Sequence, residues 1–132
     1  MIAKVLVEKD GNGYSAVITN FQSTIWGSGG SVKEAKADLM NSIEEVRQSY
    51  LENGEESPDD LEDIILDYRY DISALFNAFS FLNTSKFAER IGISPSLMRH
   101  YKAGGTYISE TQVKKIEAGL HQIARELLAV SL

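Results

Sequence analysis

Apolar and polar residues alternate through most of the first eighteen positions, the two-residue period of a β-strand. Ala3, Val5 and Val7 share one face of the first segment. Residues 10–13 (DGNG) are typical of a hairpin turn, and a second alternating segment follows them. The pattern predicts a β-hairpin, then a shorter third strand over 24–26 that the glycine-rich stretch 27–30 ends.

A helical period replaces the alternation after residue 30. Ser31 and Glu34 have the spacing of a capping box, and Gly54 is a natural helix stop. Between these signals, apolar residues recur every three or four positions. They are Val32, Ala35, Leu39, Ile43, Val46 and Tyr50. The spacing predicts one long helix with a single apolar stripe.

Residues 52–63 are polar and contain Pro58, so we expect an exposed loop with at most one helical turn near Asp60. Alternation returns in residues 64–71 and predicts a fourth strand. The first part of the chain is therefore expected to be α+β, a small antiparallel sheet with one helix packed across it. We place the domain boundary near 71–72, which divides the chain into residues 1–71 and 72–132.

Residues 72–132 are dominated by the helical period. A further apolar helix is expected over 73–83, and residues 103–106 (AGGT) should break the chain. Ser109 is the expected N-cap of a last helix. That helix carries the 3-4-3-4 apolar spacing of a helix pair or a helical core, at Val113, Ile116, Leu120, Ile123 and Leu127.

The segment 84–102 (TSKFAERIGISPSLMRHYK) has the pattern of a DNA-binding helix-turn-helix. Gly92 suits the turn, Ser94 caps the second helix, and Pro95 occupies its first position. Arg99 could bind guanine or a phosphate, and Lys86 and Lys102 suit phosphate. The residues expected to contact DNA are Lys86, Ser94, Pro95, Ser96, Arg99, His100 and Lys102. The alternative interpretation is two ordinary core helices.

Charge separates the two halves. Residues 1–72 hold 6 Lys/Arg and 15 Asp/Glu, a balance of −9, whereas residues 73–132 hold 7 and 4, a balance of +3. The basic half can approach phosphate, and the acidic half can attract a basic protein. The residues expected to bind such a partner are Glu52, Glu55, Glu56, Asp59 and Asp60. The alternative for this acidic stretch is a solvated loop.

Composition limits the chemistry further. The chain of 132 residues has no cysteine and only two isolated histidines, so we expect no metal, no cofactor and no disulfide. It has neither a membrane-length apolar run nor a secretion signal, which favours a cytoplasmic protein. Glu8 and Asp67 do not suffice for a nuclease site, and the glycine stretch lacks the GK[ST] of a phosphate loop. We expect no catalysis.

Taken in order, three marks resemble the HicB family of antitoxins over nearly the whole chain: VLVEKDGNGYSAVITN with the glycine-rich turn, SVKEAKADLMNSIEE, and the helix-turn-helix. The resemblance implies a partial ribonuclease-H-like first domain without nuclease activity. That domain would bind and mask a small basic, RNA-cleaving HicA-like toxin. It also implies a lambda-repressor-like second domain that binds operator DNA as a dimer or higher oligomer.

The resulting hypothesis is a type II antitoxin that neutralises its toxin and represses its own operon. Apolar residues continue almost to Leu132, which favours dimerisation through the last helix, with core packing as the competing explanation. The alternative function is a stand-alone helix-turn-helix regulator whose first domain senses another protein or a ligand.

Overall fold

The computed structural model describes residues 1–104 and 108–132 and divides the chain into two compact units, Met1–Ala78 and Phe79–Leu132. The first unit is α+β, and its elements in chain order are β1 (Ile2–Asp10), β2 (Gly13–Ile18), β3 (Trp26–Gly29), α1 (Val32–Glu52), β4 (Ile65–Tyr70) and α2 (Ile72–Ala78). The described part of the second unit contains the helices α3 (Thr84–Ile91), α4 (Pro95–Ala103) and α5 (Glu110–Leu128).

The four strands form one sheet in the order β3-β2-β1-β4. β1 and β2 are antiparallel, as are β2 and β3, but β4 runs parallel to β1. The predicted antiparallel sheet is therefore wrong in this respect, and the sheet is mixed. The reason is topological, because the chain returns through α1 before β4 begins, and such a crossover can place two strands side by side in parallel.

The third strand lies later than predicted, at Trp26–Gly29, so the glycine-rich stretch forms the strand instead of ending it. A Cβ atom on Gly27 would lie 2.2 Å from the backbone nitrogen of Leu39 and 2.7 Å from the carbonyl oxygen of Ala35. Glycine is required because β3 and α1 approach at backbone distance. The Ser28 N–H also donates to Asp38 Oδ2 at 2.9 Å, which joins the two elements directly.

The capping box at the start of α1 is confirmed. The Glu34 N–H donates to Ser31 Oγ at 3.1 Å, and the Gly30 N–H donates to Glu34 Oε2 at 2.8 Å. The apolar stripe of α1 packs on one face of the sheet. The buried core of this layer includes Ala3, Val5, Val7, Ala16, Ile18, Val32, Ala35, Leu39 and Ile43.

The helix expected over 73–83 ends at Ala78. A helix that continued through residue 83 is not compatible with Asn83, which has an extended backbone and caps α3. α2 contacts β1, β4 and α1, so it belongs to the first unit and the predicted boundary at 71–72 falls before it. α4 ends at Ala103, as expected, while the predicted break at Gly105 and Thr106 lies outside the described residues.

We expect Gly27→Ala to lower the free energy of unfolding by about 1–3 kcal/mol, the usual cost of overpacking a closed site. The matched control is Gly30→Ala, because the nearest atom to its new Cβ would be the flexible Glu34 Oε2 at 3.3 Å. Urea unfolding followed by circular dichroism measures both. Similar midpoints for the two variants would contradict the backbone contact between β3 and α1.

Candidate functional site

Two short helices and a tight turn form the centre of the second unit. Gly92 ends α3 with a left-handed backbone (φ 77°), which glycine adopts without strain. Ser94 then caps α4, whose first residue is Pro95. Asn83 caps α3 in the same manner, since the Lys86 N–H donates to its side-chain oxygen at 3.0 Å. Both helix starts and the turn between them are therefore determined by local sequence.

A small apolar core holds α3 against α4. Met98 is completely buried, and Tyr101, one helical turn later, is nearly so. The buried residues contributed by the two helices and their turn are Phe87, Ala88, Ile93, Met98 and Tyr101. The helical spacing of Met98 and Tyr101 fixes which side of α4 faces inward. The opposite side, which includes Ser96 and Arg99, consequently faces solvent.

The residues predicted to contact DNA lie on α3, on the turn and on α4. Six of them are exposed, namely Lys86, Ser94, Ser96, Arg99, His100 and Lys102, whereas Pro95 is half-buried. Residues 90–109 contain three Lys/Arg and no Asp/Glu. The outer side of α4 is thus cationic, with no carboxylate from its own segment, and at nine residues it is about 13 Å long.

α5 packs against α3 through Gly119. A Cβ at Gly119 would lie 2.3 Å from Ile91 Cγ2, so only glycine allows this approach. Arg90 at the end of α3 forms a salt bridge with Glu126 of α5. Neither role was predicted. The signal available in the sequence was a glycine in the middle of a strongly helical pattern, which usually has a packing reason.

The last residues of α5 and the chain beyond it are apolar and exposed. Ile116 in the first half of the helix is buried. Leu128, by contrast, is 86% exposed, and its exposed neighbours are Leu127, Val130 and Leu132. α3 has 8 residues and α5 has 19, about 12 Å against about 28 Å of helix, so α3 covers only part of α5.

The acidic stretch of the first unit divides into exposed and structural residues. Glu52, Glu55, Glu56 and Asp60 are exposed, as a partner surface requires. Asp59 is different, because it is 6% exposed. Its carboxylate is used inside its own unit, while its predicted role in binding a partner stays a prediction. The backbone N–H groups of the loop 22–23 occupy both of its carboxylate oxygens.

These bonds are short and charge-assisted. The Gln22 N–H donates to Asp59 Oδ1 at 2.8 Å, and the Ser23 N–H donates to Oδ2 at 2.9 Å. Burial alone raises the pKa of a carboxyl group, but the hydrogen bonds from Ser23 and Gln22 outweigh it and the pKa of Asp59 is lowered. The ionised Asp59 carboxylate therefore holds the acidic loop against residues 22–23, the segment before β3, by two hydrogen bonds (the Asp59 clip).

A second anchor of this loop is Arg47 on α1. Its guanidinium donates to Glu62 Oε1 at 3.2 Å and to Glu44 Oε1 at 2.7 Å. The bonds from Arg47, with a further one from Gln48, lower the pKa of Glu44 to about 2. Glu62 is thus partly neutralised, while the nearby exposed carboxylates Glu55, Glu56 and Asp60 have no cation beside them in the described contacts.

The described residues contain neither a cluster that could bind a metal ion nor a helix that could span a membrane. Among residues 1–104 and 108–132, no three His, Asp or Glu side chains come together in a way that could hold a metal ion. Glu8 and Asp67 lie on β1 and β4, on the face of the sheet away from the core, and Asp67 pairs with Lys4 in the strand register. No helix in the described part of the chain is both long and apolar enough to cross a membrane.

Comparison with known proteins adds no identification. The chain matches no protein-family model, no curated protein and no solved structure.

Asp59→Asn should lower the free energy of unfolding by about 1.5–3 kcal/mol at neutral pH, because one of two charge-assisted hydrogen bonds loses its acceptor. The lowered pKa means that the stabilisation is present above about pH 4 and is lost as pH falls through the folded-state pKa. The difference between variant and parent should therefore shrink in acid. Thermal unfolding across pH measures it, with exposed Glu56→Gln as control; equal effects of both variants at pH 7 would contradict the clip.

Proposed function

We propose that the chain is a non-catalytic antitoxin and autorepressor, in which the basic helical unit binds operator DNA and the acidic α+β unit neutralises a small basic toxin. The observation that carries the DNA-binding part is the outer side of α4. It presents Ser96, Arg99 and Lys102 from a helix whose other side is anchored by buried Met98 and Tyr101. A rigid, cationic helix of this size fits the major groove, which is about 12 Å wide.

The residues of this helix-turn-helix have distinct roles in the proposal. Arg99, in the middle of the outer side, forms a bidentate contact with guanine. Lys86 and Lys102 contact phosphates, and His100 donates to a phosphate. Ser94, Ser96 and the N-terminal turn that Pro95 begins approach the base edges first, since recognition helices enter the groove with their N-terminal residues.

The protein acts on DNA as a dimer in this proposal. The exposed apolar residues at the end of α5 and just beyond it, Leu127, Leu128, Val130 and Leu132, form a larger apolar surface than a lone helix end normally leaves in water. Pairing of two such ends would bury them and present two copies of α4 to one duplex. Half-sites one helical turn apart, about 34 Å, would then follow from the two-fold symmetry.

The toxin-binding part is supported by charge and by the HicB-like sequence marks. Residues 73–78 carry no charged side chain, so the first unit keeps the full balance of −9. Exposed Glu52, Glu55, Glu56 and Asp60 accelerate the encounter with a cationic partner more than they strengthen the complex. Asp59 contributes indirectly, by holding this loop in place.

The DNA contacts are tested with duplex from the chain's own promoter and with unrelated duplex, by fluorescence anisotropy over a salt series. Arg99→Ala should reduce the preference for the promoter by about 1–3 kcal/mol. Lys102→Ala should weaken both duplexes about equally and reduce the salt slope by about one. Arg125→Ala is the control, since Arg125 lies on α5 and donates to Gln122 Oε1. Unchanged binding in both α4 variants would remove this helix from the interface.

The antitoxin function is tested by co-expression with the neighbouring open reading frame. We expect a small basic protein that is toxic alone, co-purifies with this chain and loses its toxicity. The matched control is Arg99→Ala, which should still neutralise because α4 belongs to the other unit. A chain that binds its promoter but has no such partner would instead be the stand-alone regulator. Divalent-metal-dependent RNA cleavage by the pure chain would contradict the non-catalytic assignment.

A further inference from the structure

The face of the sheet that points away from the core is open. α1 packs on the face that carries Val5 and Ala16, so alternate residues of the same strands point the other way. Three large apolar side chains on this second face are more than half exposed to solvent. They are Ile2 at 54%, Trp26 at 53% and Ile65 at 64%. Leu6 and Val17, between them on the inner strands, are half-buried.

Strand register aligns one row of side chains across all four strands. Trp26 pairs with Val17, Val17 with Leu6, and Leu6 with Arg69. At about 4.8 Å between strands, this Trp26–Arg69 row is roughly 14 Å long. It places a tryptophan at one end and an arginine at the other, the residue types that most often dominate binding energy in protein interfaces.

Polar rows border the apolar row on both sides. Exposed Ser28, buried Ser15 and half-buried Glu8 form one of them, and Lys4 and Asp67 form the other. Arg69 Nη2 lies 3.9 Å from Asp67 Oδ2, and Lys4 is opposite Asp67 in the strand register. An apolar centre with a polar margin is the usual anatomy of a protein–protein interface.

We propose that this open face, centred on the Trp26–Arg69 row, is the surface on which the basic partner docks. The inference rests on the proposed toxin-binding function and adds the location. The net charge of the unit favours a basic protein as the partner that binds this face. The unit has 6 Lys/Arg and 15 Asp/Glu, so it repels nucleic acid and a second copy of itself but attracts a cationic protein.

The position of the acidic loop in the chain also favours a basic protein as the partner on this face. The loop leads directly into β4, whose first residue, Ile65, pairs with Ile2 at one end of the open face. Exposed Asp63 precedes that pair by two residues. The acidic loop therefore ends in sequence where β4 begins, so electrostatic attraction of the partner and burial of apolar surface would use successive segments of one unit.

Trp26 is the only tryptophan in the chain and makes the face directly observable. With 5-fluorotryptophan incorporated into this chain alone, the fluorine spectrum has one resonance, and tryptophans of the partner remain silent. The probe is the protein encoded by the neighbouring open reading frame. We expect its addition to shift the resonance and to protect Trp26 from solvent in proportion to complex formation by size-exclusion chromatography.

Trp26→Ala should weaken the complex at least about tenfold, as expected when a large exposed tryptophan becomes buried in an interface. Met40→Ala is the matched control, because Met40 is also apolar and 53% exposed but lies on α1. Ile65→Ala, at the edge strand, should also weaken the complex. Circular dichroism and promoter binding should be unchanged in all three variants, which separates docking from folding.

A complex that forms with the resonance unchanged, or with Trp26→Ala and Met40→Ala equally affected, would overturn the docking surface while leaving the toxin-binding function intact. No complex at all would overturn both. A shift that develops with concentration of this chain alone, or on addition of duplex DNA, would assign the face to a second copy or to nucleic acid and would also overturn the proposal.

Discussion

A four-stranded sheet has two faces, and the first unit packs its long helix against only one of them. The contact is close because β3 is built from glycines, and Gly27 allows the backbone of α1 to approach where a methyl group would not fit. Ser28 and Asp38 join the same two elements by a hydrogen bond. This approach determines which side chains become core. It also determines that Trp26, the residue before Gly27, points to the opposite face, where it is half exposed.

The elements that depend on local signals could be predicted from the sequence. Ser31 and Glu34 determine the start of α1, and Gly92 and Ser94 determine the turn between α3 and α4. The features that the sequence did not predict depend on contacts between distant residues. Glycine is a poor strand former, so the sequence pattern predicts a third strand that ends before Gly27. The strand includes the glycines because only they allow the close contact between β3 and α1. Asp59 looked like any other carboxylate of its loop, because its partners at 22–23 are 36 residues or more away in the chain.

The two units have net charges of opposite sign, and the proposed function assigns each of them a different partner. In the second unit, Arg99 and Lys102 lie on a helix that is anchored by the buried side chains of Met98 and Tyr101, so the cations are held on a rigid element. In the first unit, the row of side chains from Trp26 to Arg69 crosses the sheet face opposite the core, and Asp59 and Arg47 anchor the acidic loop of the same unit. The division of charge matches this division of surfaces, because a phosphate backbone and a basic protein require opposite fields.

Hydrogen–deuterium exchange of the full chain, with and without duplex DNA from its own promoter, tests the separation of the two surfaces most directly. DNA should slow exchange in the turn at 92–94 and in the first turns of α4, and should leave the strands and the acidic loop of residues 1–78 unchanged. Protection that is concentrated in the acidic unit, or absent from α4 when DNA is bound, would contradict the account.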